Sequence, residues 1–294
     1  MAAILTNNIT TFSKYVDKLD EVYAMNSLTS DLDTNNAVVK YDEKTKTFMI
    51  PKMSLDGLAD YDRNGGYVDG GVKLEYESKA PDYDRGRAFM VDAMDDEETA
   101  GVAFGMLSST FIKTRSTPEL DAYRFATYAG KAGLTTTGAN LTTGADAIAA
   151  IAAAADAMTD AEVSTEGRIL YLTPAINGLI RDMDTTKSRE VMSSFAKVVV
   201  VPQGRFYTAI DLKDGTTSGE EEGHFAKATG AKNINFMIIE PSAILQNVKH
   251  RVNKIVTPAE NQSADAWKFF FRAYGIADVL DNKNKGVYLH KAAN

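Results

Sequence analysis

Residues that are able to perform acid–base, metal or nucleophilic chemistry occur in this sequence, but their spacing does not predict a site. The three histidines, His224, His250 and His290, are dispersed, whereas metal sites usually place two ligands a few residues apart. The sequence has no cysteine, which excludes disulfides, thiolate zinc sites and cysteine nucleophiles. It contains no G-x-S-x-G motif, no phosphate-binding loop and no G-x-G-x-x-G motif. We therefore expect no catalytic, cofactor-binding or metal-binding residue.

Three acidic stretches each have a simpler interpretation than cation binding or catalysis. The run Asp31–Asn35 resembles the start of a calcium loop, but Asn36 replaces the turn glycine and Asp42 stands where a bidentate Glu is needed. A polar turn is the better prediction. The composition of Asp214–Gly223 predicts a flexible, exposed acidic loop. Acids at Asp95–Glu98 suit the positive end of a helix dipole.

Bulk composition is that of a soluble globular protein. The chain has 294 residues, of which 44% are hydrophobic and 24% charged, so wholesale disorder is not expected. Its net charge of −8 argues against a free-standing nucleic-acid binder, because such proteins neutralise phosphates with Lys and Arg. The longest apolar run, 147–155, is too short to span a bilayer, and the N-terminus shows no secretory signal. We expect a soluble protein made in a reducing cytoplasm.

The elements around these residues are organised by one long helix, predicted over 95–132. Phe104, Leu107 and Phe111 share one face at a 3–4 spacing, and we expect them to be core residues. Other apolar residues lie on the opposite side, so the helix should have neighbours on two sides. Pro118 leaves two alternatives: a kink, or a restart with Thr117 as N-cap.

Residues 37–92 predict a long β-hairpin. Apolar and charged residues alternate over 72–77, and period 2 recurs over 85–91. Turn signals at Asn64-Gly65 and Asp69-Gly70 mark a polar tip between the strands. A hairpin of this kind is marginally stable alone. It therefore needs a partner surface.

The remaining segments complete an α+β chain. Residues 1–36 read as an arm, with a short amphipathic helix over about 11–28 that must dock elsewhere. Residues 135–245 alternate helices and strands, and this pattern predicts an α/β subdomain. Residues 246–294 read as three further strands.

An ordered set of segments between residues 48 and 132 resembles a known family. The segments are FMIPKMS, LADYDRNGGY, GGVKLEYES, YDRGRAFMVDAMDDEETAG and PELDAYRFATYA. In this order they resemble the major capsid protein of tailed bacteriophages and prophages, which has the Hong Kong 97-type shell fold. The C-terminal RAYGIADVLDNKNKGVY is similar to the end of such proteins. The resemblance is close over 48–132, loose over 135–245 and moderate after that.

This resemblance implies a fold and a role. The fold would be the α+β Hong Kong 97-type capsid fold, with an N-terminal arm (1–36), an extended loop (37–92), a spine helix (93–134), an axial domain (135–245) and C-terminal strands of the peripheral domain (246–294). The protein would form the icosahedral shell around double-stranded DNA in a virion, after synthesis in the bacterial host cytoplasm. Implied partners are further copies in pentamers and hexamers, a portal, and DNA contacted non-specifically, with no membrane and no cofactor. Because the hairpin begins near residue 37, we expect the scaffolding protein to be separate.

Charged and polar residues of the hairpin are the predicted contacts between subunits. They are Asp60, Asp62, Arg63, Asn64, Arg85 and Arg87. Arg85 and Arg87 share one face and suit bidentate pairing with carboxylates of an adjoining subunit or of the helix start. Two alternatives stay open: an encapsulin-type nanocompartment, which shares the fold, and an α/β enzyme, which the lack of a catalytic set disfavours.

Overall fold

A computed structural model describes residues 27–33, 40–42, 46–63, 65–98, 106–183 and 185–293 of the chain. Nearly all of the predicted N-terminal helix lies outside these residues, as do two individually predicted site residues, Asn64 and Phe104.

The described helices centre on one long segment. They are α1 (Ala93–Glu98), α2 (Leu107–Phe111), a π-helical turn (Ile112–Ser116), α3 (Thr117–Gly130), α4 (Gly144–Asp160), α5 (Pro174–Met183) and α6 (Thr186–Ser193). Short 3₁₀ turns occur at Ser30–Leu32, Gln203–Arg205, Pro241–Ala243, Pro258–Glu260 and Asp281–Gly286. The stretch from α2 through the π turn to α3 is continuous, and we call it the long helix (107–130).

The described strands form four sheets. The strands are β1 (Lys40–Asp42), β2 (Thr47–Leu55), β3 (Val72–Lys79), β4 (Tyr83–Asp92), β5 (Thr135–Gly138), β6 (Ile169–Leu172), β7 (Lys197–Val200), β8 (Ile210–Leu212), β9 (Phe225–Lys227), β10 (Ile234–Ile239), β11 (Ile244–Val256), β12 (Ala266–Val279) and β13 (Val287–Lys291). Their orders are β1-β2-β3, β5-β13-β10-β6-β7, β11-β12-β4 and β8-β9.

The long helix passes through Pro118 without stopping. Thr117 has helical angles (φ −65°, ψ −47°), so the alternative in which it caps a new helix is wrong. The π turn directly before the proline absorbs the distortion, and Thr117 donates its backbone N–H to the Ile112 carbonyl five residues back. A local irregularity next to the proline, rather than a break, follows from the missing proline N–H.

The long helix packs against a different sheet at each of its ends. Phe125 and Tyr128 are fully buried beneath the five-stranded sheet. Near the other end, Leu107 and Phe111 pack against Phe269 and Phe271 of β12. The opposite face of the five-stranded sheet is covered by α4, α5 and α6, so that sheet lies between two layers.

The predicted hairpin over 37–92 is shorter than expected. β2 and β3 pair antiparallel from Phe48↔Lys79 to Leu55↔Val72, but β4 pairs with β12 and belongs to another sheet. The direction of the chain changes at 80–82, between β3 and β4. Period 2 alone identifies a strand but not its neighbour, which explains the error. Among the described residues, β1 pairs with β2 as far as Met49, and no described strand lies beside Pro51 on that side. An edge position of this kind is where prolines in sheets are tolerated.

The C-terminal strands are divided between two sheets. β11 and β12 form a long antiparallel pair in the three-stranded sheet. β13 instead inserts between β5 and β10 of the five-stranded sheet, parallel to the first and antiparallel to the second. Residues 246–294 therefore do not form one unit, because β13, buried at four of its five residues, completes the core formed by residues 135–245.

Truncating Phe111 tests the packing between the long helix and the three-stranded sheet. Its ring lies 4.8 Å from that of Phe89 and 5.4 Å from that of Phe271, measured between centroids. Because the side chain is half-buried, Phe111→Ala should lower the free energy of unfolding by about 2–3 kcal/mol, below the usual cost for a fully buried Phe. Urea unfolding of the unassembled chain measures this. Leu107→Ala should cost roughly 2 kcal/mol.

Met94→Ala is the control, since Met94 is exposed, and its effect should stay within about 0.5 kcal/mol. An equally small effect of Phe111→Ala would contradict the packing described.

Candidate assembly surface

The β2–β3 hairpin is fixed to the rest of the chain at its root. Phe48 and Ile50 are buried against Leu245 and Ile276. A group of ion pairs surrounds this contact: the Lys79 ammonium lies 2.8 Å from Glu77 and 3.0 Å from Asp278, and Lys131 lies 3.0 Å from Asp278 and 2.6 Å from Asp281. The hydrogen bond from Lys131 lowers the pKa of Asp281 to about 2, and the bond to Glu77 raises the pKa of Lys79. The root is therefore both apolar and ionic.

Beyond the root, the hairpin has one apolar and one polar face. The register pairs Pro51 with Tyr76, Met53 with Leu74 and Leu55 with Val72, and directly paired residues share a face. Their exposed fractions are 57% for Met53, 64% for Leu55, 69% for Val72, 50% for Leu74 and 61% for Tyr76. The opposite face carries Lys52 paired with Glu75 and Ser54 paired with Lys73. We call the exposed set Pro51, Met53, Leu55, Val72, Leu74 and Tyr76 the apolar hairpin face.

The apolar residues of β2 change from one face of the strand at the root to the other face in the part beyond it, which we call the shaft. At the root the even-numbered residues of β2, Phe48 and Ile50, are buried within the chain. Farther along, the odd-numbered residues, Met53 and Leu55, are apolar and exposed. Side chains alternate between the two faces of a strand. One face of the hairpin therefore packs against its own chain at the root, and the other face is apolar and exposed along the shaft.

The hairpin tip (56–71) closes through backbone and ring contacts. The Asp56 carboxylate accepts a 2.7 Å hydrogen bond from the Gly71 N–H, and Gly66 donates a 2.7 Å bond to the Asp62 carbonyl. The rings of Tyr61 and Tyr67 meet edge to face at 4.9 Å. Leu58, Tyr61, Tyr67 and Val68 are all exposed, so the tip is more apolar than its Asp and Gly content suggests.

The predicted contact residues lie in two separate places. Asp60, Asp62 and Arg63 are exposed at the tip. Arg85 and Arg87 lie on β4, in the three-stranded sheet, so the structure does not group them with the tip. Their role between subunits stays a prediction.

Both arginines have partners within their own chain. Arg85 donates Nε to Glu119 at 2.7 Å and Nη2 to the Lys213 carbonyl at 2.7 Å. Arg87 donates Nη2 to the Glu221 carbonyl at 2.8 Å. The carboxylate partner of Arg85 is thus in the first turn of α3 rather than in the acidic run 95–98. These bonds tie the acidic loop 214–223 to β4.

Glu119 is a buried charged residue at the point where the long helix, β4 and the acidic loop meet. Burial acts to raise its pKa, but His224, whose Nδ1 lies 3.6 Å from Oε2, and the bond from Arg85 outweigh it, so the pKa of Glu119 is lowered. The ionised carboxylate is therefore the stable form at neutral pH. It connects the long helix with β4 and with the end of the acidic loop.

A second buried carboxylate holds the segment 27–33 in place. Asp121, fully buried on the long helix, accepts hydrogen bonds from Ser27 Oγ (2.9 Å), Leu28 N (3.0 Å), Thr29 Oγ1 (2.8 Å) and Arg205 Nη1 (3.2 Å). Asp121 was not predicted from the sequence. The available signal was an acidic residue one turn before Phe125, on the same side of the helix as that apolar side chain.

The described residues contain no group of three or more His, Asp or Glu side chains able to hold a metal ion. Within the same described ranges, no helix is both long and apolar enough to cross a membrane.

Comparison with protein-family profiles gave no match, and comparison with curated proteins gave none either. Solved structures are similar over nearly the whole chain. A chain from Mycobacterium phage Che8 matches with a TM-score of 0.62 and 14% identity, covering 97% of this chain and 98% of that one. The mature capsid of bacteriophage PhiM1 matches with a TM-score of 0.65 and 12% identity, covering 97% and 93%. A virus-like particle from Pyrococcus furiosus matches with a TM-score of 0.51 and 8% identity, covering 81% and 86%.

These similarities show the fold. The chain has the α+β Hong Kong 97-type capsid fold, and the fold class predicted from the sequence is confirmed.

Replacing Asp121 tests the docking of the segment 27–33. Asp121→Asn removes the charge that faces Arg205 and turns one acceptor into a donor, so the free energy of unfolding should fall by about 1–3 kcal/mol. Amide hydrogen exchange at Leu28 should accelerate, since its N–H donates to this carboxylate. Ser27→Ala is the milder control and should cost about 0.5–1.5 kcal/mol. Unchanged exchange at Leu28 in the Asp121 variant would contradict the docking.

Acid titration tests Glu119. A carboxyl group whose folded pKa is lowered stabilises the fold above its unfolded pKa, near 4.5, and that contribution is lost as pH falls through the folded pKa. The unfolding free energy of the wild type should therefore decrease between about pH 5 and pH 3 more steeply than that of Glu119→Gln. Glu166→Gln, at an exposed glutamate, should keep the wild-type slope. Equal slopes for Glu119→Gln and wild type would refute the role assigned to Glu119.

Proposed function

We propose that this chain is the major capsid protein of a tailed phage or prophage and self-assembles into the icosahedral shell that encloses its double-stranded DNA. The observation that carries this proposal is the apolar hairpin face, which is exposed although six residues of two paired strands contribute to it. Contiguous exposed apolar surface marks an interaction site. A fold by itself does not assign a function, so the argument depends on this surface together with the fold.

The hairpin acts as a connector between subunits in this proposal. Its root is fixed by Phe48, Ile50 and the surrounding ion pairs, so the shaft projects in a defined direction. Covering the apolar face by a second copy would contribute on the order of 1 kcal/mol for each half-exposed side chain. A single contact of this size is weak, but a closed shell repeats it in every subunit.

The family division of the chain is adopted here with two changes. We assign the arm to 1–36, the spine helix to 93–134 and the axial domain to 135–245, and the long helix described above is the core of the spine. The extended loop, first predicted over 37–92, is assigned only to residues up to Lys79. β13 is assigned to the axial domain, since it supplies a central strand of that sheet.

Further copies of the chain, arranged in pentamers and hexamers, are the primary partners in this proposal. A separate scaffolding protein, a portal, and DNA contacted without sequence preference complete the set. Asp60, Asp62, Arg63 and Asn64 at the tip are proposed rim contacts around the apolar hairpin face. Arg85 and Arg87 are proposed to act less directly, because their bonds to Glu119 and to the acidic loop shape the surface beside the root. The protein would reside in the virion and have a structural rather than enzymatic role.

The alternative is a nanocompartment shell that packages enzymes. The similarity to the Pyrococcus furiosus virus-like particle supports it, although that match covers 81% of this chain, against 97% for the phage structures named above. Electron microscopy of purified particles, followed by analysis of their contents, separates the two. DNA inside closed shells supports the phage capsid, and protein cargo supports the compartment. A discrete small oligomer would contradict both.

Shortening the hairpin tests the connector role. Replacing residues 57–69 with a two-residue turn should leave the circular dichroism of the subunit nearly unchanged, since the tip contributes little to the core. Closed shells should be lost from micrographs. Normal shells from the shortened protein would end the proposal that the tip contacts other subunits.

A matched pair of variants separates the two faces of the shaft. Met53→Ser with Leu74→Ser changes one directly paired set on the apolar hairpin face, and Lys52→Ser with Glu75→Ser changes the neighbouring pair on the polar face. The first should abolish shells, and the second should leave them in place. The same outcome for both variants would show that the apolar hairpin face has no special role.

A further inference from the structure

The three-stranded sheet separates charge between its two edges. The exposed end of β11, Val248–Val256, contains Lys249, Arg251 and Lys254 and no carboxylate. At the other edge, β4 ends in Asp92 and leads into α1, and residues 92–98 contain five acids and no base. Since β12 lies between β11 and β4, one edge is basic and the other acidic.

The basic edge is not neutralised within the described part of the chain. Lys249 lies over the ring of Tyr41 and Arg251 near the ring of Phe271, and neither these two nor Lys254 forms an ion pair among the described residues. All three side chains are exposed. At the acidic edge, Asp92 and Glu97 are exposed.

Apolar side chains accompany the charges at both edges. Val248 and Ile255 are exposed on β11, and Met90 and Met94 are exposed on β4 and α1. Residues 248–256 of β11 and residues 90–98 at the end of β4 therefore each combine exposed apolar residues with charge of a single sign. An apolar centre with a charged rim is the usual composition of a protein–protein interface.

We infer that the β11 edge of one copy binds the β4–α1 edge of the next copy, with Lys254 facing Glu97. This inference rests on the proposed shell function, and it names a second contact that is separate from the hairpin. Because the two surfaces differ, the contact is head-to-tail, and repeating it by rotation closes a ring. Complementary charges fix the direction of such a contact and suppress the wrong pairing of two like edges.

Two other occupants of the basic edge would give different results. Nucleic acid would be attracted to the same cations without any need for the acidic edge. Alternatively, the lysines would only keep a bare edge strand from pairing with other strands. Neither reading couples β11 to α1.

Charge reversal tests whether the β11 edge of one copy contacts α1 of another. Lys254→Glu and Glu97→Lys each place like charges opposite one another, and each should reduce the yield of closed shells about tenfold at fixed protein concentration. The combined variant Lys254→Glu/Glu97→Lys restores opposite charges and should recover to within about twofold of wild type. Lys187→Glu on α6 is the control for a reversed exposed lysine and should assemble normally.

Assembly of either single variant at the wild-type level would overturn the inference, as would a combined variant no better than the single ones. Shells that form normally with Lys254→Glu but hold less DNA would assign the β11 edge to nucleic acid instead. Circular dichroism of each variant before assembly excludes misfolding as the cause of lost shells.

Site-directed cross-linking gives an independent measurement, because the natural chain has no cysteine. Glu97→Cys and Lys254→Cys subunits, mixed before assembly and oxidised, should form cross-linked dimers, whereas either variant alone should not. Wild-type chains that form no shells would contradict the proposed function itself. Mixed shells without cross-links, or cross-links within either variant alone, would contradict only this inference.

Discussion

One helix is shared by the two main sheets of this protein, and their mutual arrangement depends on it. The C-terminal half of the long helix packs through Phe125 and Tyr128 under the five-stranded sheet. Its N-terminal half packs through Leu107 and Phe111 on the three-stranded sheet. Tyr123 contacts both cores. Because interiors are close-packed, a displacement of this helix would disturb both sheets together, and with them the hairpin and the β11 edge.

Two buried carboxylates on the same helix strengthen this arrangement. Asp121 holds the segment 27–33 and Arg205, whereas Glu119 holds Arg85 of β4 and lies beside His224. Burying a carboxylate is costly unless hydrogen bonds and opposite charges compensate it, and both groups have such partners. They specify which parts of the chain meet the helix, a selectivity that apolar packing alone does not provide.

Local sequence signals predicted where the helices and strands lie better than they predicted which strands pair with each other. The 3–4 spacing of apolar residues identified the long helix, and alternation over 72–77 identified β3. Pairing between distant strands is a different matter: β4 joins β12, nearly 180 residues later, and β13 returns to the five-stranded sheet from the far end of the chain. Period 2 is the same whichever strand lies alongside. The sequence left a kink and a restart open at Pro118 and did not predict the π turn that precedes it.

Local sequence signals predicted only part of the candidate assembly surface. Charged residues of the tip were conspicuous beside their glycines. Arg85 and Arg87 were expected to pair with carboxylates of an adjoining subunit or of 95–98, whereas within the chain Arg85 pairs with Glu119 and Arg87 donates to the Glu221 carbonyl. The apolar hairpin face was missed because Pro51, Met53 and Leu55 lie about twenty residues from Val72, Leu74 and Tyr76 in sequence. Only the register brings them to one side.

Pro51 has a consequence for how such a chain avoids fibres. Beyond Met49, β2 and β3 form a two-stranded ribbon whose backbone edges lack described partners, and one of its faces is apolar. Ribbons of this kind are templates for amyloid-like stacking. A proline on the edge of β2 that has no described partner, and Lys73 and Glu75 on β3, hinder the addition of a further strand. Addition of a further strand at the hairpin is thereby disfavoured, which leaves the apolar hairpin face as the part of this ribbon that is available for contacts.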